Sequence, residues 1–63
     1  MKVNGQYVEG RWISLSDLIS SQGFREDRIA VELNGMIVPK SEYPTTVLKE
    51  EDSIEIVGLV GGG

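Results

Sequence analysis

The sequence predicts an α+β fold in which a mixed sheet of four to five strands wraps around one short helix. Three observations predict it. Two Asn-Gly pairs, Asn4-Gly5 and Asn34-Gly35, each stand between short strand-like runs, the chemistry of tight β-hairpins. One segment between them, SLSDLISSQG, carries a cap and apolar residues at helical spacing. After the second pair, Ser53–Val57 returns to strict alternation, with Ile54 and Ile56 on one face.

Each element has a local cause. Lys2–Asn4 and Tyr7–Glu9 flank the first turn, where Asn and Gly both tolerate positive φ, and Gly10 ends the ribbon. Ser14 is the expected N-cap, and Asp17 puts an acid in the first turn. Leu15, Leu18 and Ile19 form the apolar stripe and Gly23 the stop, so the helix is expected from Ser14 to about Gln22. Ile29 to Leu33 alternates as a half-buried strand, and Asn34-Gly35 turns it into the apolar run Met36, Ile37, Val38. Pro39 cannot donate to a ladder and belongs at a strand end. Ser41–Pro44 reads as irregular or a single turn, Thr46–Leu48 as a brief edge strand, and Lys49–Asp52 as a solvated turn. With the first and last strands side by side in the middle, this order is the β-grasp arrangement. That step is partly analogy, since element order alone allows other α+β packings.

Composition limits the function classes. At 63 residues the chain buries about 60% of its unfolded surface, enough for one core. It is expected to form one domain over residues 1–60 with a tail over 61–63. A pocket of the usual ligand-holding size, roughly 300 Å³ or more, would draw heavily on that core, which favours a carrier or binding module over an enzyme. There is no cysteine and no histidine, which removes disulfides, thiolate chemistry and the commonest zinc ligands. Ser20 and Ser21 therefore have no imidazole to activate them. A net charge of −4 argues against nucleic acid and favours basic protein partners. The N-terminal MKVNGQYVEG has no apolar run, so neither a signal peptide nor a membrane span is expected, and a cytoplasmic location fits. Glu50, Glu51, Asp52 and Glu55 are acidic but lack the spacing of a calcium loop, and a solvated face explains them. No metal site and no bound cofactor are expected.

The chemistry is expected at the end of the sequence. Val57–Gly58–Leu59–Val60 leads into Gly61–Gly62–Gly63. Glycines lose the most backbone entropy on ordering and offer no side chain to pack, so this stretch reads as a flexible arm of up to ~10 Å. A side-chain-free end can thread a narrow channel and bring its carboxylate to another protein's active site. Activation by ATP as an acyl-adenylate would make that carboxylate an electrophile, which a sulfur donor could convert to a thiocarboxylate. The plain alternatives are a cloning remnant or a terminus with no role. Val57, Leu59 and Val60, apolar and next to the arm, form a candidate docking patch, although lone exposed apolar residues are ordinary. Trp12 is either a partner contact or a cover for the open end of a small core.

The chain resembles the thiamine-biosynthesis sulfur carrier protein (ThiS) family, ubiquitin-like in fold, along its whole length. The resemblance rests on VNGQ, SLSDLI, IAVELNGMIVPKSEY, EEDSIEIV and the ending VGGG. Rival families, such as the small subunit of molybdopterin synthase, share the fold and the Gly-Gly end but generally run longer and lack the NGxIVP segment in this form. Arg11–Trp12–Ile13 departs from the family's smaller, more polar connection and leaves the register of the second strand open. The resemblance implies that a ubiquitin-activating-like adenylyltransferase adenylates Gly63 with ATP and magnesium. A sulfur relay fed by a cysteine desulfurase would then form the thiocarboxylate, and thiazole synthase would accept the sulfur for the thiazole ring of thiamine. Gly62 and Gly63 match the family's terminal pair, and Gly61 a common extra glycine. The protein would thus be a co-substrate and not an enzyme. Two alternatives stay open: a carrier serving molybdopterin, tRNA thiolation or cysteine synthesis, and a ubiquitin-like interaction module without sulfur chemistry.

Overall fold

A computed structural model describes residues 1–9 and 13–59. The elements are β1 (Lys2–Val3), β2 (Gln6–Tyr7), α1 (Leu15–Ser21), a 3₁₀ turn at Glu26–Arg28, β3 (Ile29–Leu33), β4 (Met36–Ile37), a longer 3₁₀ helix at Lys40–Thr45 and β5 (Ser53–Gly58). The strands form one five-stranded sheet in the order β2-β1-β5-β3-β4. β1 and β5 run parallel in its middle, and the other pairs are antiparallel. This is the β-grasp arrangement.

Both hairpins turn as their Asn-Gly pairs demand. Asn4 and Gly5 have φ of 53° and 84°, Asn34 and Gly35 of 52° and 86°, the twisted two-residue turn whose positive φ values few other residues accept. In α1 the Ser14 hydroxyl accepts from the Asp17 amide at 3.0 Å, satisfying one of the helix's orphan donors. Its other end closes with Gly23 at φ 82°. There the Phe24 amide donates to Ile19 and the Gly23 amide to Ser20, the paired bonds of a Schellman stop.

The core lies between α1 and one sheet face. Leu15, Leu18 and Ile19 from the helix meet Val3, Ile29, Val31, Ile54 and Ile56 from the strands. Burial of each such side chain contributes about 1.5–3 kcal/mol, which is how so short a helix is held. Lys2, Ser53, Glu55 and Val57 alternate onto the opposite, exposed face.

Three expectations need correction. Thr46–Leu48 is not an edge strand: only Val47 bridges, to Ser14, and the segment hydrogen-bonds the chain entering α1 through Leu15 to Thr46 and Leu48 to Ile13. Leu48 is fully buried, so its pull into the core sets the path. Ser41–Pro44 belongs to a six-residue 3₁₀ helix, because Tyr43 drops into the core while Pro39 and Pro44 fix the local φ. β5 runs one residue further than expected, to Gly58, because Ile29 of β3 pairs with it there. The expectations about Gly10, Arg11 and Trp12 lie outside the described residues.

Candidate functional site

The site is built on β5, the strand that leads toward the glycines. Its first half is held on both sides. On the β1 side, the Lys2 amide donates to Asp52, the Asn4 amide donates to Ile54, and the Ile56 amide donates to the Asn4 side chain at 2.8 Å. On the β3 side, the Asn34 amide donates to Ser53, and the Ser53 amide donates back to the Asn34 side-chain oxygen at 2.9 Å. Asn34 also donates to Asp52 at 3.0 Å, while the other oxygen of Asp52 accepts from the Lys49 amide at 2.8 Å. Asp52 is thus a turn-maker and not merely part of a solvated face.

The second half is held on one side among the described residues. Val57 pairs with Ala30 and Gly58 with Ile29, and the Leu59 amide donates to the Arg28 carbonyl at 2.9 Å. The backbone is therefore fixed one residue past the strand. Val57 is 53% exposed and Leu59 56%. Val57 lies on the outer face, as alternation with the buried Ile54 and Ile56 requires. The other residues assigned to the site, Val60, Gly61, Gly62 and Gly63, lie outside the described residues.

The outer face shows features that periodicity alone did not single out. Glu32 and Glu55 stand in register across β3 and β5, and Glu32 faces Ile37 of β4 on its other side. Ile37 is 75% exposed. A strict inside-outside count through LNGMIVP would have placed it on the face of Val57; reading Met36–Val38 only as an apolar run hid this.

Among the described residues no group of three or more His, Cys, Asp or Glu is placed to hold a metal ion, and no helix is long and apolar enough to cross a membrane. A depression of about 450 Å³ lies beside Lys2, Tyr7 and Ser53, at the far end of β5 from Leu59. It is formed largely by surface side chains, so size alone does not keep such a hollow from this chain. Burial raises the Tyr43 phenol above its ordinary pKa of 10.0, with the Glu26 carboxylate adding to the rise and a backbone hydrogen bond at Val31 opposing it. That leaves a neutral phenol within the core.

The described site thus offers a rigid platform and an apolar flank beside the exit of the chain. Comparison with known proteins adds the decisive observation: the model of the ThiS family matches residues 1–63. The chain belongs to the ThiS family. The match agrees with the fold. The crystal structure of the thiamine biosynthesis protein ThiS from Geobacter metallireducens superposes with a TM-score of 0.80 at 29% identity, covering 98% of this chain and 96% of that one. Sulfur carrier protein ThiS of Bacillus subtilis is 34% identical over 65 residues, spanning 100% of this chain and 98% of its own length. A thiazole synthase of Magnetococcus marinus is 40% identical over 50 residues, which are 79% of this chain but 15% of that protein. A ThiS-like segment therefore occurs within a much longer chain of that name.

Proposed function

We propose that this ThiS-family chain is a sulfur carrier for thiazole formation in thiamine biosynthesis, with the carboxyl group of Gly63 as the carrying group. The observation that supports it most is the family match across residues 1–63, glycines included. The full-length likeness to a protein named as a sulfur carrier agrees with it.

The chemistry needs little from the carrier itself. An adenylyltransferase using ATP and magnesium joins the carboxylate to AMP, which makes a poor leaving oxygen a good one. Persulfide sulfur from a relay drawing on a cysteine desulfurase displaces AMP to form an acyl disulfide, and a thiol reductant then cleaves its S–S bond to leave the thiocarboxylate. Thiazole synthase then takes the sulfur; the segment shared with a protein of that name supports it as partner. The carrier's tasks are to be gripped and to reach. Gly61 and Gly62 would pass through a narrow entrance because they carry no side chains. Val57 and Leu59, exposed beside the exit, together with Val60, would dock against the partner. The protein acts as co-substrate, in the cytoplasm with its partners.

Intact-protein mass spectrometry after co-expression with the activating and relay proteins tests the reading. The expected result is the mass gain of sulfur replacing oxygen, lost on deletion of Gly63. An unchanged mass, while a Bacillus subtilis-type carrier is loaded in the same cells, would remove the sulfur-carrying role.

A further inference from the structure

Both Asn-Gly pairs form exposed turns with nearly the same backbone. Asparagine before glycine is the sequence most open to spontaneous deamidation, because glycine has no Cβ to shield its backbone nitrogen. The glycine nitrogen attacks Cγ of the asparagine side chain and forms an N–Cγ bond, giving up its proton to hydroxide. The Cγ–Nδ2 bond breaks, and the nitrogen leaves as ammonia after taking a proton from water. Water then opens the cyclic imide at either carbonyl, yielding aspartate or isoaspartate. Water and hydroxide are the sole co-reactants.

Attack requires the asparagine side chain to turn toward the glycine nitrogen, so hydrogen bonds that hold it elsewhere slow the reaction. Here the two turns differ. Asn34 is gripped at both ends: its oxygen accepts from the Ser53 amide at 2.9 Å and its nitrogen donates to the Asp52 carboxylate at 3.0 Å. Asp52 is in turn fixed by the Lys49 amide. Asn4 is held by its oxygen, through the Ile56 amide at 2.8 Å, and its nitrogen has no partner among the described residues. The bond from Asn34 to a carboxylate is of the charge-assisted kind, roughly twice as strong as a neutral one. The products differ too. An aspartate at position 4 keeps an oxygen for the Ile56 amide, whereas one at position 34 sets a second carboxylate against Asp52.

We propose that Asn4 is the deamidation site of the folded chain, and that the grip of Asp52 and Ser53 protects Asn34 despite its matching sequence and turn. Modification at Asn4 adds a negative charge at the β1–β2 turn. In its isoaspartyl form it also lengthens the backbone where the side chain completes the ladder to β5.

Incubation of the folded full-length chain in mildly alkaline buffer, followed by peptide mapping and isoaspartate labelling, tests this. Asn4 is expected to react at least about tenfold faster than Asn34. In urea the two rates should converge, and Asp52→Ala should raise the Asn34 rate in the folded protein. Should that variant not fold, Asp52→Asn, which keeps an acceptor for Lys49 and removes the charge, should give a smaller rise in the same direction. Equal rates in the folded chain, faster reaction at Asn34, or a gap that persists in urea would overturn the proposal. So would an Asn34 rate indifferent to both substitutions.

Discussion

The two halves of β5 live in different surroundings. From Ser53 to Ile56 the strand is hydrogen-bonded on both flanks and drives Ile54 and Ile56 into the core. From Val57 to Leu59 the described partners lie on the β3 flank only, and both apolar side chains face solvent. One strand thus serves as root and as outlet. The first half is anchored on both flanks, and the second on one among the described residues.

The strongest way to break this contrast is to cut its root. Ile54 is fully buried, so Ile54→Ala should destabilise the fold by about 2–5 kcal/mol in urea denaturation. That is a large share of the roughly 5 kcal/mol available to a small domain. Val57→Asp in the outlet half should shift stability by no more than about 0.5 kcal/mol, while weakening binding to the adenylyltransferase proposed as partner in calorimetry. Similar losses of stability at both positions would erase the distinction; unchanged affinity would take Val57 out of the docking patch.

A finer probe leaves the core alone. Asn34→Gly keeps a residue that accepts the turn's positive φ but deletes the side-chain bonds to Ser53 of the β5 root and to Asp52 just before it. The expected loss is about 1 kcal/mol, with faster hydrogen exchange at the Ser53 amide and little change at Leu59. Retained protection at Ser53 would show that the ladder alone suffices there.

The smallest effect concerns pH. The folded state holds the Tyr43 proton more tightly than the unfolded chain does, so folding favours the neutral phenol. Stability from this source is fully present below pH 10.0 and falls as pH rises through the raised folded pKa. Tyr43→Phe should flatten that alkaline decline in melting temperature. A wild-type curve of the same shape would assign the decline to other groups.

What could be read from the sequence follows from how local its causes are. Asn4-Gly5, Asn34-Gly35, the Ser14 cap and the Gly23 stop each act within a few residues, and the structure shows them where the pattern put them. The alternation Ile54–Val57 likewise gave both the buried pair and the exposed Val57. The full extent of the 3₁₀ helix around Ser41–Pro44 and the path of Thr46–Leu48 were not legible, because their determinants, Tyr43 and Leu48, are single buried residues among prolines and polar groups, with neither helical nor strand periodicity. The side-chain bond from Ile56 to Asn4 joins residues 52 apart, and no local pattern encodes such a partner. At the site, the exposure of Val57 and Leu59 was legible, whereas the placement of Ile37 and the role of Asp52 depended on which strands become neighbours.

The parallel pairing of β1 with β5 also bears on how the chain is born. Its earliest and latest strands meet in the middle of the sheet, so a nascent chain still lacking residues 53–58 has a gap where its centre should be. A helix and two hairpins can form on the ribosome, but they have nothing to close around until β5 emerges. Closing the sheet then waits on β5, so folding is dominated by long-range contacts and slower than the chain's length alone would suggest.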